Sequence, residues 1–353
     1  MRSRMANSSA SRTPLVSILV PTYNAARYLP ELCQSIQAQT YPHFEVIIGD
    51  DGSTDNTTSV MAPFLQDSRF RVLRWEQNRG VGIGSVIMLS AMRGDYWGWT
   101  GADDVYYPTF LEKRVALLEA NPQACLAHGP AELINEFGQP PQGGPGPLPL
   151  SLPPTLRPPR LLPVLVQHNI IMASSAMIRT SATLPLLPYL HWAWLYASDW
   201  FFYILLAATG FELVWDPQMH NKYRVHSTSL SISPEKDNLR RAERRLVPLV
   251  GLRLAAQYSQ WGAECWGRWG RVLYWQWLRQ AVALKSRGGL RPEWTQLGAR
   301  AYYTARGRPV SFPVEIGKHA LGILATDLSY RRALKRQGFP VSGLAQIDDP
   351  IFR

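Results

Sequence analysis

Residues 16–57 read VSILVPTYNAARYLPELCQSIQAQTYPHFEVIIGDDGSTDNT, and the fold is decided inside them. Val16–Val20 is a short, unbroken aliphatic run, as expected of a strand buried on both faces. The turn PTYNAA follows. Tyr28–Gln39 then places Leu29, Leu32, Cys33 and Ile36 on one helical face. Phe44–Ile48 repeats the strand and GDDG the turn, and Ser53 or Thr54, with Asp55 nearby, is placed to open a second helix. Strand, helix and strand at this spacing predict parallel βαβ units.

The same logic continues outward. RFRVLRWEQN predicts a third strand, VGIGSVIMLSAMRG a helix, and Tyr96–Trp99 a fourth strand that runs into the acidic GADD, residues 101–104. Between 138 and 163 prolines are so dense that the stretch reads as a loop, either an inert connection or a flap over a substrate cleft. Past Pro234 the pattern becomes helical, most clearly in RRAERRLVPLVGLRLAAQY and GRVLYWQWLRQAVALK. The fold class is therefore α/β, a mostly parallel sheet with flanking helices, plus a C-terminal helical region.

Composition narrows the function. A hydrophobic fraction of 46% with 18% charged residues excludes a disordered or fibrous chain. Cys33, Cys125 and Cys265 are far apart, with no CxxC spacing, which argues against a disulfide framework or a cysteine zinc site. The N-terminal 13 residues are polar and small, read as a disordered tail without the apolar run of a secretory signal. Asp199 interrupts the most apolar window, Leu186–Ala208, which reads as core rather than as a membrane span. A cytoplasmic protein is expected. Residues 234–353 carry a net charge of +12, leaving −1 for the rest, and hold six of the 13 tryptophans. Arg244, Arg245, Arg268, Arg271 and Arg279 interleave there with Trp and Leu. Two readings stay open: peripheral contact with the inner face of an anionic membrane through 234–353, or a packed helical bundle, including a homo-oligomer contact. No nucleic-acid partner is expected, since no recognised binding module is visible.

In an open α/β sheet, ligands bind beyond the carboxyl ends of the strands. Three polar clusters fall at such ends: Thr22-Tyr23-Asn24, Asp50-Asp51 and Asp103-Asp104. Adjacent carboxylates repel unless a cation or hydrogen-bond donors offset them, and paired oxygen ligands suit Mg2+ or Mn2+. Each Asp taken alone is equally at home as a turn or cap residue. There is no GxGxxG after the first strand and no GxxxxGK[ST] anywhere, which points away from dehydrogenases and kinases.

At this point the chain resembles the family 2 glycosyltransferases of the GT-A fold. The resemblance is carried by residues 16–57 and continues through NRGVGIGSV, GDYWGWTGADDVYYP, SDWFFYILLAATG and YRVHSTSLS, over roughly residues 14–230. It implies an inverting transfer from a nucleotide-diphospho-sugar, most often UDP-linked, to an acceptor hydroxyl of a glycan or lipid-linked glycan, in cell-surface glycan or polysaccharide synthesis. It implies a Mn2+ or Mg2+ cofactor. Residues 14–130 would be the nucleotide-sugar half and 131–232 the acceptor half, followed by the basic Trp-rich region 233–353. Carried over by position, Pro21, Thr22, Tyr23 and Asn24 would line the base and ribose. Asp51 would bond the base, with Asp50 beside it and Asp55 supporting the turn, and Asn78, Arg79 and Gly80 would close on the donor. Ala102, Asp103 and Asp104 fall in the metal-binding DxD region, with Asp103 as metal ligand. Arg224 and His226 would lie near the diphosphate, His226 also at the metal. Asp199 would be the catalytic base, and HNIIMASS, residues 168–175, would line the acceptor side.

Two departures stand out: Gly101 occupies the place of the first DxD aspartate, and Ser198 that of an acidic neighbour of Asp199. Independently of the resemblance, a carboxylate in an apolar stretch flanked by Trp194 and Trp200 has its pKa raised by desolvation, which suits a base near neutral pH. A first-turn helix Asp is the structural alternative. The departures keep alive a catalytically inactive nucleotide-sugar-binding protein; a nucleotidyltransferase would want a Gly-rich phosphate loop where PTYNAA stands.

Overall fold

The computed structural model describes residues 12–141, 154–190, 197–229 and 237–285. The VSILV run is the centre of a sheet: β1 (Val16–Thr22) lies between β2 (Phe44–Asp50) and β4 (Tyr96–Trp99), parallel to both. Thr22 is in register with Asp50. β3 (Phe70–Arg74) pairs parallel to β2 on the far side. β1 and β2 are buried almost throughout, which is why their sequences are continuous aliphatic runs rather than alternating ones. α1 (Leu29–Gln37) buries the predicted stripe of Leu29, Leu32, Cys33 and Ile36, each aliphatic side chain contributing roughly 1.5–3 kcal/mol.

β5 (Val105–Tyr106), β6 (Ala124–His128), β7 (Glu132–Ile134), β8 (Thr155–Leu156), β9 (Met177–Arg179), β10 (Glu212–Trp215) and β11 (Asn221–Arg224) complete the strands. The large sheet has the order β3-β2-β1-β4-β9-β6-β10-β8, with β9 antiparallel to its neighbours β4 and β6. A small sheet, β5-β11-β7, starts directly after GADD. The helices after α1 are α2 (Thr57–Met61), α3 (Val81–Ala91), α4 (Phe110–Glu119), α5 (Pro158–Leu165), α6 (Thr180–Thr183), α7 (Ser198–Ala208), α8 (Asp237–Tyr258) and α9 (Gln260–Lys285).

Three expectations need correction. The second helix opens at Thr57, because Ser53, Thr54 and Asp55 are engaged in the turn before it. The third strand stops at Arg74. The Pro-rich stretch is not loop to its end: Pro158 and Pro159 sit in the first turn of α5, where a missing N–H is harmless, and Leu161, Leu162 and Leu165 are buried. Residues 142–153 of that stretch lie outside the described residues.

The chain forms two compact units, the first of Met1–Ser151, Met172–Leu187 and Val214–Arg224, the second of Leu152–Ile171, Pro188–Leu213 and Val225–Arg353. The units are interleaved along the chain, with β9 and β11 in the first. In the second unit α7 is buried on nearly all sides from Trp200 to Ala208, and α8 buries Leu246, Val247, Leu249, Val250, Leu252 and Leu254. No helix among the described residues is long and apolar enough to cross a membrane.

Candidate functional site

In the first unit, the carboxyl ends of β1, β2 and β4 stand side by side, so the three predicted clusters share one sheet edge. The first two are laced into a single structure. Asn24 adopts a positive φ of 49°, a conformation Asn tolerates better than most residues. Its amide N donates to Ser53 Oγ (2.9 Å), and its Oδ1 accepts the amides of Thr54 (2.8 Å) and Asp55 (3.3 Å). Asp55 returns the contact by accepting Ala26 N and the Thr57 hydroxyl and amide. Desolvation tends to raise its pKa, but these donors together hold it below the ordinary value. The side chains of Asn24 and Asp55 thus build the turn. Thr22 is buried, with its hydroxyl on Val20 O, whereas Tyr23 is 49% exposed and Pro21 partly so.

The two aspartates after β2 divide their work. Asp50 is fully buried; it accepts Ser53 N (2.9 Å) and lies 3.5 Å from Arg74 Nε, a structural use with no side-chain surface left for a ligand. Asp51 accepts both Arg79 N (2.7 Å) and Gly80 N (2.8 Å), and Asn78 Oδ1 adds a second bond to Gly80 N. Gly80, at φ 86°, is the N-cap of α3. Residues 78–80 are therefore fastened to the end of β2 at the start of a helix, where backbone donors and the helix dipole favour anions.

The acidic loop shows a similar asymmetry. Asp104 is buried: it accepts Arg224 N (3.0 Å), Gly101 N (3.3 Å) and the Ser174 hydroxyl. Desolvation, and then the charge of Asp103, raise its pKa. Asp103 is half-buried, next to buried Ala102. Gly101 makes room for it, since a Cβ there would come within 2.3 Å of Asp103 Oδ1. The side chain that the first DxD aspartate would need is excluded by the present position of the second.

Arg224 does not fit its expected place at a diphosphate. It is buried, with Nε on Asp103 O (2.8 Å), one terminal N on Asn135 O (3.2 Å), the other on Glu31 Oε2 (2.5 Å), and the guanidinium over the Tyr28 ring. It is a strut for the acidic loop. The sequence carried no signal for this, because its partners lie up to 193 positions away.

In the second unit, Asp199 sits in the first turn of α7, half-buried. Burial raises its pKa; the Trp200 amide, the Asn169 side chain and the Arg244 charge offset part of the rise. Asn169 Nδ2 donates to Asp199 Oδ2 at 3.0 Å, and its own Oδ1 accepts Ile171 N. Asn169, inside HNIIMASS, is a partner that no local pattern announced. Trp200 is buried, donating to Leu165 O; Trp194 lies outside the described residues. His226 closes a tight turn: its amide donates to Ser229 Oγ, and its Nδ1 meets the Thr228 hydroxyl at 2.8 Å.

Among the described residues no three His, Cys, Asp or Glu side chains gather as a ready metal cage. Asp103, half-buried beside an Asp104 already satisfied by donors, does suit a hard cation held through one carboxylate plus ligand phosphates.

Residues 17–179 match the family model described as Glycosyl transferase family 2. The chain is 35% identical over 126 residues to an uncharacterized glycosyltransferase of Rickettsia felis, covering 35% of this chain and 21% of the relative. It is 37% identical over 99 residues to glycosyltransferase GlyG of Streptococcus pneumoniae, covering 28% of this chain and 33% of GlyG. It is 34% identical over 106 residues to the putative teichuronic acid biosynthesis glycosyltransferase TuaG of Bacillus subtilis, covering 30% and 42%. The match thus spans well under half of each relative's length. Among solved structures, residues 1–349 of S. aureus TarS in complex with UDP align with a TM-score of 0.53 at 18% identity, covering 90% of this chain and 91% of that one, a likeness of fold.

Proposed function

We propose that this chain, whose residues 17–179 match the family 2 glycosyl transferase model, transfers a sugar from a nucleotide-diphospho-sugar, UDP-linked in the first instance, to an acceptor hydroxyl, with inversion at the anomeric carbon. The observation that carries the reading is the shared sheet edge, where Asp51 fastens residues 78–80 and the half-buried Asp103 stands on a loop braced by Arg224. The exposed Tyr23 and the Asp51 turn receive the nucleotide. Mn2+ or Mg2+, bound through Asp103, would supply Lewis-acid stabilisation of the departing diphosphate.

Asp199 takes the proton from the acceptor hydroxyl as that oxygen attacks the anomeric carbon on the face opposite the leaving group. Its raised pKa keeps its affinity for that proton useful near neutral pH. Asn169 orients the carboxylate through its Oδ2. No covalent intermediate forms, so configuration inverts. A cell-surface glycan is the acceptor class in keeping with the similarity to TuaG.

The first test is calorimetric titration of the protein with UDP, GDP, TDP and CDP, each with and without Mn2+. Tight binding of one nucleotide only with metal, abolished in Asp103→Ala, supports the reading and directs a sugar screen. The close approach of Asp103 to Gly101 favours one second reading, an inactive nucleotide-sugar binder. It would bind nucleotide yet show neither transfer nor donor hydrolysis.

A further inference from the structure

Ala197 is the N-cap of α7 and supplies no side-chain cap of its own. Alanine cannot accept the orphan amides at a helix start, a role normally given to Ser, Thr, Asp or Asn. The acceptor arrives from another element instead: Ala197 N donates to Glu243 Oε2 of α8 at 3.1 Å. Glu243 is fully buried, which glutamate almost never is unless partnered. The contact is the first of a series. Gly251 faces Phe201 and Ile204, with room for at most a tight Cβ, and the Tyr258 hydroxyl donates to Leu205 O at 2.8 Å. Contacts that advance together along both helices mean that α8 runs beside α7 in the same direction, from its first turn towards its last. The residue after Glu243, the exposed Arg244, acts on Asp199 by its charge.

We propose that Glu243 is a positioning residue for the candidate base: from α8 it fixes where the chain enters α7, and so where Asp199, two residues on, is held. α8 is then part of the transferase machinery rather than an appendage, although it lies outside the family match. The inference rests on the reading of Asp199 as the base.

The test uses the full chain with Glu243→Gln and Glu243→Met. Gln keeps an oxygen for the Ala197 amide; Met fills a similar volume with none, and an apolar replacement of a buried charge is often tolerated. Hydrogen exchange of amides 197–201 is followed together with steady-state turnover of the nucleotide-sugar found in the screen. In Glu243→Met, exchange at 197–201 should quicken by about tenfold, the worth of one hydrogen bond, with β1 and β2 amides unchanged. kcat should fall by about tenfold or more, with donor KM within about twofold, because the base and not the donor site is displaced. Glu243→Gln should restore most of both. Unchanged exchange in Glu243→Met overturns the proposal, as does faster exchange with unchanged kcat. Loss of protection throughout the second unit overturns it too, since Glu243 would then be a core residue only. If the wild type turns over no nucleotide-sugar, the reading of Asp199 falls, while the exchange comparison still decides whether Glu243 holds the turn.

Discussion

Arg224 Nε donates to the carbonyl oxygen of Asp103 at 2.8 Å, so the acidic loop is held by a buried cation rather than facing one across a ligand. Arg224→Ala leaves the carbonyls of Asp103 and Asn135 without that donor and should destabilise the protein by about 1–3 kcal/mol. It should also weaken Mn2+-dependent nucleotide binding by about tenfold. Arg224→Lys keeps the charge but not the planar fork, and should fail to restore binding. Full rescue by Lys, in titration and thermal melting, would return Arg224 to a direct role at the phosphates.

Asp51 accepts two backbone amides on two oxygens. Asp51→Asn turns an NH2 group toward one of those N–H donors, so one bond is lost and one amide left unpaired, at about 1–3 kcal/mol. Nucleotide affinity should drop by more than about tenfold as residues 78–80 loosen. Denaturant melts and calorimetry on the same sample check both parts.

Gly101→Ala puts a methyl group where Asp103 Oδ1 now lies. The displaced atom ends a flexible side chain, so stability should change by less than about 1 kcal/mol, within the range of ordinary small substitutions. Metal-dependent binding should nevertheless change about fivefold or more, because the carboxylate must take another rotamer. Equal Mn2+ dependence in wild type and variant would remove Asp103 from the metal assignment.

Asp199→Asn should lower transfer by about 10²–10⁴-fold, the usual worth of a general base, with nucleotide binding unchanged. Burial holds the Asp199 carboxyl above its ordinary range. The active form is the carboxylate, so activity is lost as pH falls through that raised pKa, at higher pH than an ordinary Asp at ~3.9 would show. Four groups oppose the rise, the Trp200 amide, the Asn169 side chain, the amide of Asp199 itself and Arg244, and of these only Arg244 is charged. Arg244→Gln removes an effect that lowers the pKa, so the acid limb of the kcat profile should move up in pH. A limb that stays put would mean that another group sets it.

Much of the fold was legible locally. VSILV and FEVII became β1 and β2, and Leu29, Leu32, Cys33 and Ile36 the buried face of α1, because period and hydrophobicity report directly which side of an element leaves water. The three polar clusters could be placed at strand ends for the same reason. α5 was hidden because a proline in the first turn and one in a loop look alike in sequence.

What the sequence by itself determined is the order of the strands and helices, and the residue types brought to one sheet edge. Only the tertiary structure decided what each carboxylate does: Asp51 fastens residues 78–80, Asp103 stays half-buried, and Asp50 and Asp104 are buried and accept backbone amides. It likewise decided that Arg224 braces and that Glu243 caps a helix 46 residues away. The reason is physical. Periodicity records how a side chain meets water, whereas its hydrogen-bond partner depends on which distant backbone groups the fold leaves unpaired beside it.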